Sequence, residues 1–179
     1  MINIPNIYDS IALAKQTITI KQERNIQEQE KVNKAQIENI IGKPIANLTY
    51  SNLFGKEVKI DTFHKVYIID YHYKACYPCW VFSEKLNSLN IKYKNLGLKI
   101  YGINPIDPLS NSLKDFYSKK DVNYDILIGS NTITSTFSAD TFPTIVILDS
   151  NHKIIKAWEG YSESNIDALE NKLRELLNK

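Results

Sequence analysis

A chain of 179 residues with 43% hydrophobic and 11% aromatic residues has the material for one sizeable core and a short appendage. A net charge of +2, from 22 basic and 20 acidic residues, provides no strong field for nucleic acid or an anionic membrane. Its two arginines, Arg24 and Arg174, lie near the two ends, so the middle lacks the planar fork that grips phosphate, which argues against nucleotide chemistry. No apolar run reaches the roughly 18 to 20 residues that span a bilayer, and no basic-then-apolar start marks an export signal.

Residues 1–40 are rich in Gln, Glu, Lys and Asn and hold no Gly or Pro after Pro5. Ile7, Ile11, Ala14 and Ile18 fall on one helical face, with Asp9 or Ser10 as cap, which predicts a helical extension. TITIK at 17–21 alternates and leaves a short strand open there, and a leader to a membrane anchor or to a further domain is also open. From Gly42 the pattern changes to alternating strands and helices, so residues 41–179 form the expected domain. Residues 57–60 make a short strand after the Gly55 turn, and the apolar run 66–69 has the composition of a strand buried on both faces. A helix follows, with Pro78 in its first turn, Val81, Phe82, Leu86, Leu89 and Tyr93 at helical spacing, and Gly97 as its stop. Then come a strand at 98–104, a helix over about 109–120, a strand in YDILIG, a short turn at 131–138, and a terminal hairpin from TFPTIVILD and KIIKAWEG. Ser164 with Asp167 predicts a capping box for a last helix ending near Leu177. The expected fold is α/β, a central mixed sheet flanked by helices.

Both cysteines lie in YKACYPCW, where the first central strand hands over to its helix. Two thiols this close enclose too small a loop to stabilise a fold much, so a structural clamp is the weaker reading. Zinc wants about four ligands, and His72 is the one nearby candidate to join the two thiols; His64 and His152 are distant in sequence. A lone CxxC in a βαβ-like setting reads as redox-active. A helix start presents unpaired N–H groups and the positive end of the helix dipole, and both stabilise a thiolate, the attacking species. Cys76 is therefore the expected nucleophile and Cys79 the resolving thiol, forming an internal disulfide with no metal or organic cofactor. His72 reads as a packing or hydrogen-bonding residue beside the pair rather than a general base.

With strand, CxPC, helix and the downstream Phe142, Pro143 and Thr144, the chain resembles the thioredoxin superfamily, and within it the TlpA/ResA-like thiol:disulfide oxidoreductases, over about residues 41–178. IGKPIANLTYSNLFGKEVKI is similar to that group's lead-in, IIDYHYKACYPC to its strand and WCxPC loop, and FSADTFPTIVILD with LDSNHKI to its Pro-Thr segment and hairpin. The resemblance implies a thioredoxin-like fold and a cis Phe142–Pro143 bond packed against the disulfide. It also implies substrate contacts from Tyr77, Pro78, Thr141, Phe142 and Pro143, and proton transfer to and from the second thiol by the buried acid Asp70. The chain departs from the family where Ala75 and His72 replace tryptophans, Phe82 a common Glu and Glu84 a helix-kinking Pro.

The activity expected from these residues is reduction of disulfides in client proteins. The implied partners are an upstream electron donor and thiol or disulfide clients, in an extracytoplasmic compartment. A non-enzymatic redox-sensing or partner-binding module, docking through the first 40 residues, is the alternative. A thiol peroxidase fits less well: such enzymes are similar in fold but carry a Thr where Tyr73 stands and an activating Arg, and this chain has no Arg between 25 and 173.

Overall fold

The computed structural model describes residues 7–45, 48–129 and 141–178. Seven strands form one mixed sheet in the order β2-β1-β5-β4-β3-β6-β7. They are β1 Thr49–Asn52, β2 Glu57–Lys59, β3 Val66–Tyr71, β4 Leu98–Asn104, β5 Asp125–Ile128, β6 Thr144–Asp149 and β7 Ile154–Glu159. Strands β3, β4 and β5 run parallel, and β6 and β7 return antiparallel as the expected hairpin. The short turn expected at 131–138 lies outside the described residues.

Burial on both faces explains the apolar run at the centre. All six residues of β3 are buried, and alternation sends Val66 and Ile68 to one core layer and Tyr67, Ile69 and Tyr71 to the other. The first layer is closed by α2, Tyr77–Tyr93, whose Phe82, Leu86, Leu89 and Tyr93 form one stripe, and by Leu169, Leu173 and Leu177 of α4, Glu163–Leu177. Helix α2 runs unbroken past exposed Glu84 and ends in a 3-10 turn at Gly97, whose φ of 107° suits glycine. Helix α3 spans Asn111–Ser118.

Several local expectations are corrected. Strand β1 was not foreseen, because TYSN carries one buried residue, Tyr50, and offers no period to read. Helix α4 is capped by Ser162, whose hydroxyl accepts the Asn165 N–H; Ser164 lies inside the first turn and its hydroxyl bonds to that of Ser162. Helix α1 covers Ile7–Ile40, so Asp9 and Ser10 lie within it rather than at its cap, and 17–21 is helical, with Thr19 Oγ1 bonded back to the Lys15 carbonyl. The apolar face of α1 meets solvent at Ile11 and Ile18, while Ile37 and Ile40, at its far end, pack against the sheet.

Candidate active site

The chain leaves β3 at Tyr71 and enters α2 six residues later at Tyr77, and Cys76 caps that helix. Its extended backbone, with φ −80° and ψ 93°, lets Sγ accept the Cys79 N–H at 3.2 Å. The two cysteines are joined as a disulfide with their Cα atoms 5.3 Å apart. Once that bond opens, a sulfur here keeps an N–H donor and the helix end beside its charge. Both cysteines are buried, while Ala75, Tyr77 and Pro78 are exposed, Tyr77 at 77%.

The register of β3 with β6 pairs Tyr71 with Thr144, so Pro143 stands at the sheet end where β3 passes to α2. The Phe142–Pro143 bond is cis. Its loop is held from within: the Thr144 hydroxyl donates to the Thr141 carbonyl at 2.5 Å, and the Gly160 N–H to the Pro143 carbonyl at 2.8 Å. The Phe142 ring meets Tyr73 edge-on at 5.1 Å, joining this loop to the segment before Cys76. At that sheet end Thr141 and Phe142 are half-buried and Pro143 is buried.

Asp70 is 1% exposed and, by alternation, lies in the layer covered by α2. Its Oδ2 accepts the Tyr124 hydroxyl at 3.1 Å and lies 3.2 Å from His72 Nδ1. Its Oδ1 has no hydrogen-bond partner among the described residues. His72 is equally buried, with Nδ1 also 3.2 Å from the Asp70 backbone oxygen and Nε2 2.9 Å from the Tyr117 hydroxyl. Burial pushes the phenols of Tyr117 and Tyr124 well above their ordinary range; at Tyr124 the Asp70 charge adds to that, and at Tyr117 the Asn104 bond pulls back without reversing it. Both therefore stay protonated.

Sequence reasoning missed Tyr117, Tyr124, Asn104, Asp107 and Gly102. The Asn104 amide donates to the Tyr117 hydroxyl at 3.0 Å and to Asp107 Oδ2 at 2.9 Å, and that same oxygen accepts the Lys74 N–H at 2.7 Å. Gly102 makes the room: a Cβ there would come within 2.7 Å of His72 Cε1 and 3.1 Å of Tyr124 Cε2. Two signals were in the sequence, a glycine inside a buried strand and an Asn three residues before an Asp at a strand end. Among the described residues no group of three or more His, Cys, Asp or Glu is arranged to hold a metal.

The sheet order, the cis proline and a disulfide at a helix start define a thioredoxin-like protein. The AhpC/TSA family model matches residues 41–166, and the chain belongs to that family. Solved structures of similar fold include a Chlorobium tepidum protein described as thiol:disulfide interchange protein DsbE, with a TM-score of 0.69 and 20% identity over 76% of this chain and 97% of that one. A thiol:disulfide interchange protein from Bacteroides sp. gives 0.65 and 20% over 78% and 91%. A secreted Mycobacterium tuberculosis disulfide oxidoreductase homologous to E. coli DsbE gives 0.57 and 15% over 72% and 95%. No curated protein matches the chain.

Proposed function

We propose that this protein is a TlpA/ResA-like thiol:disulfide oxidoreductase that reduces disulfides of client proteins. The observation that carries the reading is the Cys76–Cys79 disulfide at the start of α2, with Cys76 Sγ accepting a helix N–H. The Cys76 thiolate attacks a client disulfide, forming a mixed disulfide and releasing the first client sulfur as a thiolate. Asp70 takes the Cys79 proton, and the Cys79 sulfur then attacks Cys76, closing the internal disulfide and releasing the second client thiolate. The client gains two electrons and the cysteine pair loses two. No metal or organic cofactor takes part.

Tyr77, Pro78, Thr141, Phe142 and Pro143 line the approach for the client. With the Thr141 and Pro143 carbonyls bonded internally, the exposed Tyr77 ring and half-buried Phe142 offer apolar contact. An upstream donor restores the dithiol, and the neighbours described as interchange proteins, one of them secreted, support an extracytoplasmic setting. Residues 1–40 form an extension to a thioredoxin-like domain at 41–179, suited to carry a membrane tether. Among the described residues no helix is long and apolar enough to cross a membrane.

The test is the equilibrium reduction potential of the Cys76/Cys79 couple in thiol buffers. A value below about −250 mV supports a reductase and one above about −150 mV an oxidase or isomerase, while failure to interconvert dithiol and disulfide overturns the assignment.

A further inference from the structure

The buried imidazole of His72 has no part in the exchange steps above, yet both of its ring nitrogens have polar neighbours. Asn104 anchors the network at the end away from Asp70. Its Oδ1 accepts the N–H groups of Ile106 and Asp107 at 3.0 and 2.9 Å, which fixes which end of the amide is oxygen. Its nitrogen must then donate, and one of its bonds goes to the Tyr117 hydroxyl oxygen. With that oxygen accepting, the Tyr117 proton is free to point at His72 Nε2, 2.9 Å away. Nε2 accepts, so Nδ1 carries the ring proton, and Nδ1 faces two acceptors, the backbone oxygen and Oδ2 of Asp70. In this arrangement, with the ring proton on Nδ1, every donor meets an acceptor.

The groups around this ring come from several elements. They are Asp70 from β3, Tyr117 from α3, the Trp80 ring from α2 at 5.3 Å, Gly102 from β4, whose missing Cβ leaves the space, and Tyr124 just before β5, which borders that space and donates to the same Asp70 Oδ2. Lys120 Nζ lies over the Trp80 ring at 4.8 Å, and Asp107 accepts from Asn104. No cation touches the imidazole among the described residues.

We propose that His72 is a positioning residue for the thiol chemistry: held in one tautomer by Tyr117 and Asn104, it fixes the Asp70 carboxylate through Oδ2 and leaves Oδ1 unpartnered for the Cys79 proton. The proposal rests on the thiol-exchange reading. It assigns His72 to the second step alone, because the proton moves from Cys79 sulfur to Asp70 while the imidazole keeps its own. Asp107 connects the same network to the Lys74 N–H, in the loop that delivers Cys76, so the acceptor and the nucleophile loop share one set of bonds.

The test separates the two steps by rapid mixing with a small aromatic disulfide, following mixed-disulfide formation by Cys76 and its release by Cys79. In His72→Phe the release step slows by about tenfold or more, since the Asp70 carboxylate has lost a donor, while formation keeps its rate. His72→Asn, which places an amide donor near the Nδ1 position, restores the release rate toward wild type. Tyr117→Phe slows release by less than His72→Phe does. Equal loss in both steps, or no rescue by a folded His72→Asn, would overturn the proposal. Failure of the wild-type pair to exchange at all would instead sink the underlying function, which the unmodified protein reports by itself.

Discussion

Two Asp–His–Tyr clusters stand at opposite ends of β3, and they differ in what the fold does to the carboxylate. Before the strand, Asp61 Oδ1 accepts the Tyr67 hydroxyl at 2.6 Å and the Phe63 N–H at 3.0 Å and lies 3.2 Å from His64 Nδ1. The Asp61 and His64 side chains are about one third exposed, and the His64, Tyr67 and His152 rings meet edge-on. At the far end of the strand, Asp70 sits out of water with one oxygen held and the other without a partner among the described residues. The same three residue types make a partly exposed cross-link at one end and, at the other, a buried acid with an acceptor left open among the described residues. Composition does not separate them; burial and an unfilled acceptor do.

The strongest way to break this contrast is to neutralise each acid in turn. Asp70→Asn should slow client disulfide reduction by about 100-fold in steady-state assays, at the release step, whereas Asp61→Asn should leave the rate unchanged. Equal effects of the two substitutions would erase the distinction. Next in size, Gly102→Ala should destabilise the protein by about 1–3 kcal/mol in urea titration, because His72 is pinned by bonds at both ring nitrogens and cannot retreat from the new methyl. Tyr67→Phe should cost about 1 kcal/mol, through loss of the hydroxyl that serves both Asp61 and the His64 N–H, and should leave the reduction potential unmoved.

The smallest expected effect is a pH dependence. Burial alone would raise the Asp61 carboxyl, but the Tyr67 hydroxyl, the Phe63 amide and His64 together hold it below its ordinary 3.8. A carboxyl depressed on folding adds stability above that value and loses it as the pH falls below it. Thermal melts between pH 5 and pH 3 should therefore show a decline that Asp61→Asn flattens.

Much of the fold was legible because its signals are local. The run at 66–69, the stripe from Phe82 to Tyr93 and the left-handed stop at Gly97 each depend on neighbours in sequence. The cysteine pair was legible for the same reason, since helix start and thiol spacing are written side by side. Strand β1 was not, because it exists through pairing with β2 and β5 rather than through any pattern of its own. The network around His72 was illegible for a stronger reason. His72 and Tyr117 stand 45 residues apart, and Tyr124 lies 54 residues from Asp70, so only the sheet order brings them together. The cap at Ser162 was missed by two residues because two serines with suitable spacing compete, and backbone geometry chooses between them.

The unpartnered oxygen of Asp70 also bears on how this protein would respond to selection for heat resistance. A buried acceptor without a donor lowers the ceiling on folding stability by about 1–3 kcal/mol. Position 70 should then recur among heat-stable variants recovered without regard to activity, as an apolar or amide side chain that relieves that deficit and leaves a robust but idle scaffold.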